Sequence, residues 1–260
     1  MRWLYQAMRV PVTGAAILAG QVLHAAHRPD MPGLPDQDPS GVFGDPSARQ
    51  VRMVMLGDSS ITGPGVEPLD AIWSRVIANR LGSHYRLELI SVASGGAKVR
   101  QVLETQLPRA LEERADLAVV SVGANDALRA TPVRSFETDL RHILRKLAAS
   151  THGVGVSGIG DLGTVPRLPT LAAGIGRIRG RSFDRAIARA AADFPNVLKT
   201  VTWGPQWRLF EEGDPSQIFA ADQFHAAAPG QQLFADAFMP VMEVMLSLLP
   251  DEQVRRSTAT

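Results

Sequence analysis

The sequence predicts an α/β protein, a three-layer α/β/α sandwich around a parallel five-stranded sheet. Two observations carry this prediction. Short apolar runs typical of buried strands recur along the chain, and they alternate with segments whose apolar residues are spaced three and four apart, as in amphipathic helices. Strands that alternate with helices form a parallel sheet covered by helices on both faces.

The predicted elements follow from these patterns in order. Strands are expected at 51–56, 87–92, 117–122, 154–159 and 197–201. Helices are expected at 69–81, 99–114, 135–149, 183–194 and 231–249. The last of these helices contains Pro240, which should kink or interrupt it.

Two further segments are expected to lie over the carboxyl edge of the sheet. Residues 160–181 are rich in Gly, Pro and Arg, and their apolar side chains could line an acyl pocket or pack as an ordinary surface loop. Trp203 and Trp207 could form a second wall or a sugar-stacking surface, or belong to the core. The apolar side chains of the first segment are Leu162, Val165, Leu168 and Leu171.

Composition agrees with a soluble globular protein. The chain has 260 residues, 45% of them hydrophobic, which suffices for a substantial core. Its net charge of +1 predicts no nucleic-acid partner. The absence of cysteine excludes disulfides, thiolate metal sites and a cysteine nucleophile. No clustered metal ligands stand out, so we expect neither a metal nor a cofactor.

The N-terminal region admits several interpretations. Arg2 and Arg9 precede an apolar stretch over 10–23, which resembles a signal peptide but is interrupted by polar residues and Pro11. It is too short and broken to span a bilayer as a helix. We favour a helix over residues 1–27 that docks on the core or touches a membrane surface, and a cytoplasmic protein; a secreted or membrane-associated one is the alternative.

The most informative stretch is Gly57-Asp58-Ser59, directly after the first predicted strand. A strand that ends in a tight turn leaves the Ser59 hydroxyl at its carboxyl end, where open α/β sheets build their sites. Asp58 is expected to brace this turn by local hydrogen bonds. A serine becomes a useful nucleophile only beside a base.

A base is available near the C-terminus, in Asp222-Gln223-Phe224-His225. The spacing is about one helical turn, which would place both side chains on one face. The Asp222 carboxylate can accept the Nδ1–H of His225, fix its tautomer and stabilise the imidazolium. The other ring nitrogen can then take the proton of Ser59.

Two more predicted strands end in hydrogen-bond donors. The third ends in Gly123-Ala124-Asn125-Asp126, where the Asn125 amide could stabilise an oxyanion. The second ends in Ser94-Gly95-Gly96, where a backbone N–H could approach a substrate closely. Either turn alone would be an ordinary βα turn.

Together, the four segments resemble the SGNH (GDSL-type) hydrolase family, and the style of the chain resembles its actinobacterial members. The resemblance covers about residues 50–245 and implies a flavodoxin-like fold. It divides the chain into an N-terminal segment and Pro-rich linker (1–50), a catalytic domain (51–250) and a polar tail (251–260).

The resemblance also implies roles for individual residues. Ser59 would be the nucleophile, His225 the base and Asp222 the residue that orients it. The oxyanion hole would consist of the N–H of Ser59, the N–H of Gly95 and the side chain of Asn125, with Gly96 as an alternative to Gly95. Ser60 departs from the Leu, Ile or Thr that often follows the nucleophile.

The function expected from this resemblance is a serine-dependent carboxylic ester hydrolase that forms an acyl-enzyme on a small acyl ester. The alternative is an O-acyltransferase that moves a short or medium acyl chain, for example octanoyl, to a sugar hydroxyl with the same residues. A non-catalytic binding module is a more remote alternative. The acyl length, the acceptor and the oligomeric state are open at this point.

Overall fold

The computed structural model describes residues 32–251 of the chain, together with Gly20. At its centre is a six-stranded sheet with the strand order β1-β3-β2-β4-β5-β6. The strands are β1 (Gly41–Phe43), β2 (Arg49–Gly57), β3 (Tyr85–Ser91), β4 (Leu117–Ser121), β5 (Gly153–Val156) and β6 (Val197–Lys199). The predicted α/β class and the five parallel strands are confirmed, since β2 to β6 pair in parallel.

The predicted number of strands is one too low, because β1 adds an antiparallel edge strand beside β3. This strand lies within the range assigned to the Pro-rich linker. It has three residues, too few to show an alternating pattern in sequence. Phe43 anchors it, because its ring is buried and lies 4.8 Å from the guanidinium carbon of Arg75.

The helices cover both faces of the sheet. They are α1 (Ser59–Thr62), α2 (Trp73–Leu81), α3 (Val99–Gln101), α4 (Leu107–Glu112), α5 (Ala124–Leu128), α6 (Val133–Ser150), α7 (Thr170–Ala191), α8 (Leu209–Glu212), α9 (Pro215–Ile218) and α10 (Ala228–Ser247). Short 3₁₀ turns occur at Leu69–Ala71, Leu162–Thr164 and Pro205–Trp207. Helix α10 continues through Pro240.

Two helices differ from their predicted form. The helix expected over 99–114 is split by a π-helical turn, Val102–Gln106, which Pro108 follows. Helix α7 begins at Thr170, well before the predicted start at 183. Glycine is a poor helix former, so the glycines in this segment argued against a helix. In the structure Gly180 allows close packing, because a Cβ there would lie 2.8 Å from the Gly160 carbonyl oxygen. The second half of the covering segment 160–181 is therefore helical.

A hydrophobic core lies on each side of the sheet. On one side α6 and α7 pack on the strands, and the rings of Phe136 and Phe183 meet at 4.7 Å. On the other side α2 and α10 do so, with Trp73 and Phe238 at 5.0 Å. The ends of the strands between these two layers are left open for a site.

Within the described residues, no helix has the length and apolar character needed to cross a membrane. Apart from Gly20 and residue 251, the predictions for residues 1–27 and for the tail 251–260 concern residues outside that described part.

Candidate active site

The turn after β2 depends on a close approach of two strands. Gly57 has φ +154°, and a Cβ at this position would lie 1.9 Å from the carbonyl oxygen of Ser121, the last residue of β4. Only glycine permits this contact. The backbone N–H of Asp58 then donates to the same carbonyl at 3.1 Å, which ties the start of the nucleophile turn to β4.

Gln106 fixes this turn from the other side. Its buried amide accepts from the Gly57 N–H at 2.7 Å and donates to the Gly57 carbonyl at 2.9 Å. The residue closes the π-helical turn, a local distortion that often occurs at functional sites. As a result, Ser59 follows immediately in a rigid frame at the carboxyl end of β2.

Asp58 braces the turn as predicted. It is the N-cap of α1, and its carboxylate accepts from the Ser60 N–H at 3.0 Å and from the Asn125 side-chain amide at 3.3 Å. Burial raises the pKa of Asp58, while these two hydrogen bonds oppose that rise. Asp58 thus links the predicted nucleophile to the predicted oxyanion donor.

Asp222 and His225 form the expected pair, in a turn and not on a helix whose spacing they share. His225 Nδ1 lies 2.6 Å from Asp222 Oδ2, while Oδ1 accepts from the N–H groups of Phe224 and His225. Gln223 completes the turn with φ +55°. Asx-type bonding of this kind favours turns over helices, which explains the difference.

The charge of the Asp222 carboxylate is well supported. Burial alone would raise the pKa of Asp222, but the hydrogen bonds from His225 and from the two backbone N–H groups outweigh it and hold the pKa below its usual value. Asp222 is therefore ionised around neutral pH and can orient the His225 ring.

A cavity of about 230 Å³ opens beside this pair and is lined by both Ser59 and His225. Eight aromatic side chains contribute to its wall, from Trp73, Trp203, Trp207, Phe210, Phe219, Phe224, Phe234 and Phe238. Hydroxyl groups also contribute to the wall, from Ser60, Ser121, Ser157, Thr164, Thr200 and Thr202. The cavity can therefore enclose an apolar group next to a serine and a histidine.

The covering segment and the two tryptophans contribute to this cavity in different ways. Leu162 and Val165 line it, as do Trp203 and Trp207. Leu168 packs in a small cluster with Val165, Ile218 and Phe219, and Leu171 is 43% exposed. Two of the four apolar residues of the segment thus face the cavity, along with both tryptophans.

The predicted oxyanion donors are placed unequally. The N–H of Ser59 and its hydroxyl donate to no residue of the described part of the chain. The Asn125 amide reaches Asp58, as described above. The N–H of Gly95, in contrast, is engaged, because it donates to the carboxylate of Asp36 at 2.7 Å.

The Ser59 hydroxyl donates to no described residue, and this includes His225. A hydrogen bond between a nucleophile and its base often shortens only in the substrate complex.

Gly96, the alternative to Gly95, occupies the third position of a β-turn. The N–H of Ala97 donates to the Ser94 carbonyl at 3.3 Å, and Gly96 has φ +70°, as type II turns require. Gly96 is therefore needed for the shape of the turn.

The departure at Ser60 has a structural consequence. Its hydroxyl lies 2.6 Å from the Ser121 hydroxyl, and its carbonyl accepts from the Trp73 indole at 2.7 Å. Ser60 therefore joins α1 to β4 and α2 and adds polarity to the cavity wall.

Comparison with known proteins identifies the family. The model of the GDSL-like Lipase/Acylhydrolase family matches residues 55–233. This chain belongs to that family. The matched range begins in β2 just before Ser59 and ends past His225, so it includes all four segments that carried the resemblance. The prediction that this chain is an SGNH-type serine esterase, a hydrolase that acts on ester bonds, is confirmed by its family.

Individual relatives agree with the family. A GDSL-like esterase of Mycobacterium tuberculosis is 28% identical over 238 residues, 85% of this chain and 74% of the relative. The esterase EstA of Pseudoalteromonas has a TM-score of 0.59 at 19% identity, covering 75% of this chain and 98% of its own. The acetylxylan esterase Axe2 of Geobacillus stearothermophilus has a TM-score of 0.60 at 15% identity, covering 74% and 94%. At these identities the two structures support the fold alone.

Two polar residues of the site were missed by the sequence analysis. Gln106 sits in a segment that reads as an ordinary amphipathic helix, and the π-helical turn that aims it inward has no clear sequence signal. Asp36 lies in a Pro-rich stretch with nothing to distinguish it from its neighbour Asp38. Both act through long-range contacts that a local pattern does not contain.

We expect Asp58→Asn to misplace Asn125. The amide can keep one acceptor for the Ser60 N–H, but it then presents N–H groups to the Asn125 amide, so that hydrogen bond is lost. Loss of one such bond should lower kcat for an activated ester about ten-fold with little change in KM.

Steady-state kinetics of Asp58→Asn, with Asp45→Asn as an exposed control, test this. The Asp45 carboxylate bonds only Ser47 in the described part of the chain. An effect confined to KM, or none at all, would show that Asp58 does not position Asn125 for the chemical step.

Proposed function

We propose that this chain hydrolyses carboxylic esters through an acyl-enzyme on Ser59, with His225 as general base and Asp222 as the residue that orients it. The observation that carries the proposal is the 2.6 Å contact between Asp222 Oδ2 and His225 Nδ1, with His225 and Ser59 on the wall of one cavity. Side-chain exposure of 5% for Asp222 and 22% for His225 fits a buried orienting carboxylate and an accessible base.

The proposed reaction has two halves. Ser59 Oγ attacks the ester carbonyl while His225 Nε2 takes its proton, and the carbonyl oxygen becomes an oxyanion. The C–O bond to the alcohol then breaks, and His225 returns the proton to the leaving alcohol. In the second half, water attacks the acyl-enzyme with the same base, and the acid leaves as Ser59 recovers its proton.

The oxyanion requires donors that are already in place. The N–H of Ser59 is available, since Asp58 caps the N–H of Ser60 and leaves that of Ser59 free of described partners. The Asn125 amide, held by Asp58, is the second proposed donor. Gly95 is the third, once its N–H is released from Asp36.

The aromatic cavity supports an apolar acyl group as the part of the substrate that is recognised. A cavity of about 230 Å³ exceeds the roughly 150 Å³ of an engineered apolar cavity that holds benzene. We therefore propose esters of short to medium acyl chains as substrates, with the acyl chain between the sheet and α10.

Ser59→Ala should abolish ester turnover without unfolding the protein. Removal of such a nucleophile typically costs on the order of 10⁶-fold in kcat. The assay is hydrolysis of p-nitrophenyl butyrate together with labelling by a fluorophosphonate and mass spectrometry of the labelled peptide.

The matched control is Ser60→Ala, which removes the neighbouring hydroxyl. Its label should still be found on Ser59. A label on Ser60 in the wild type, or turnover retained by Ser59→Ala, would overturn the assignment of the nucleophile.

The second candidate, acyl transfer to a sugar hydroxyl, draws support from the composition of the cavity wall. Trp203 and Trp207 offer faces on which a sugar ring can stack, and the hydroxyl groups of the wall offer hydrogen bonds. Because an alcohol and water attack the acyl-enzyme in the same way, the same residues serve both reactions.

Partitioning of the acyl-enzyme separates the two candidates. With p-nitrophenyl octanoate and rising concentrations of glucose or sucrose, a hydrolase should release free acid throughout, and acylated sugar should not exceed the product formed with 1-propanol at equal hydroxyl concentration. A saturable rise of acylated sugar, with a matching fall in free acid, would establish an acceptor site and replace the hydrolase assignment.

A further inference from the structure

Asp36 is a third acidic residue of the site, distinct from Asp58 and Asp222, and it is linked to the site through Gly95 and Thr62. It precedes β1 in an extended segment, and its exposed carboxylate holds two groups. Oδ2 accepts from the Gly95 N–H at 2.7 Å, and Oδ1 accepts from the Thr62 hydroxyl at 2.7 Å. Thr62 is the last residue of α1, three positions after Ser59.

The segment that carries Asp36 is docked in this position by its own contacts. The backbone N–H of Gln37 donates to the Thr62 carbonyl at 3.0 Å, and its side-chain amide donates to the Gly63 and Val66 carbonyls. Leu34 lies against Gly65, where a Cβ would come within 2.5 Å of its methyl carbon. The backbone is therefore fixed on the loop after α1, and only the Asp36 side chain is free to turn.

The glycine at position 95 is what allows the carboxylate to approach. A Cβ on Gly95 would lie 2.2 Å from Asp36 Oδ1. A backbone N–H points in one direction, and an acceptor must lie along it at about 2.7–3.1 Å. An oxyanion that uses the Gly95 N–H must therefore occupy the place that Asp36 Oδ2 holds.

We propose that the Asp36 carboxylate occupies the Gly95 N–H in the absence of substrate. The carboxylate must turn away before this N–H can complete the oxyanion hole. The inference rests on the proposed function of Ser59 and of Gly95. In this role Asp36 slows turnover, whereas Asp222 promotes it by orienting the base.

Charge strengthens this opposition. A carboxylate and a developing oxyanion carry the same sign, and like charges at such distances destabilise each other. Because Asp36 is exposed, its side chain can turn into water without leaving a buried charge behind. A substrate whose oxyanion displaces the carboxylate gains the third donor.

The test compares Asp36→Ala and Asp36→Asn with the wild type. Both variants should raise kcat/KM for p-nitrophenyl acetate, a small ester, by about ten-fold or more, because one oxyanion donor is typically worth 10²–10³-fold. Binding of butaneboronic acid, which forms an anionic tetrahedral adduct with a serine, should tighten in parallel. Thr62→Val, which removes the second anchor of Asp36, should change both quantities in the same direction by a smaller factor.

Asp38→Asn is the matched control, since Asp38 is an exposed aspartate two positions away that bonds Ser40 and does not contact Gly95. It should leave both quantities within two-fold of the wild type. An unchanged or lower kcat/KM in Asp36→Ala would overturn the proposal and would mean that Asp36 holds the Gly95 turn in its working position.

Fluorophosphonate labelling separates this outcome from failure of the proposed function. If Ser59 is labelled in the wild type and in Asp36→Ala but the rates do not rise, only the role of Asp36 is wrong. If Ser59 is not labelled in the wild type, the nucleophile and the inference both fail.

Discussion

The close contact between Gly57 and the Ser121 carbonyl is the constraint on which the site depends. Because no side chain fits between them, β2 can end against the last residue of β4, and the Asp58 N–H can bond that carbonyl. Ser59 and Asn125, which follow these two neighbouring strands, are thereby brought close enough for Asp58 to bridge them. The residues of the site come together at the carboxyl edge of the parallel sheet, and Gly57 allows the ends of β2 and β4 to lie close to each other there.

Three carboxylates near Ser59 differ in their partners, and their proposed roles differ accordingly. Asp58 is buried and accepts hydrogen bonds from the Ser60 N–H in the turn and from the Asn125 side-chain amide. Asp222 is buried and ionised, since hydrogen bonds from His225 and the backbone stabilise its charge. Asp36 is exposed and bonds one N–H that the reaction is proposed to use. Local spacing predicted the first two roles, while that of Asp36 has no sequence signal, because it depends on donors that the carboxylate meets only in the folded chain.

The sequence predicted the parallel strands and the four segments of the site because these depend on local patterns. A strand that ends in glycine and serine, or an aspartate three residues before a histidine, is visible without a structure. The edge strand Gly41–Phe43, the π-helical turn that delivers Gln106 and the contact of Asp36 with Gly95 are not, since each is fixed by partners 44 to 59 residues away. The first part of helix α7 was missed for a related reason: Gly176 and Gly180 lower helix propensity locally, while they pack against Leu162 and Gly160.

The central claim is that Asp222 orients His225 to activate Ser59, and single-turnover acylation of Asp222→Asn tests it most directly. The amide would present an N–H to His225 Nδ1 and favour the wrong tautomer, so the rate of acylation by p-nitrophenyl butyrate should fall by about 10⁴-fold with unchanged thermal unfolding. Asp214→Asn, which alters an exposed helix cap in the same region, should acylate at the wild-type rate. An Asp222→Asn enzyme that acylates within ten-fold of the wild type would contradict the account.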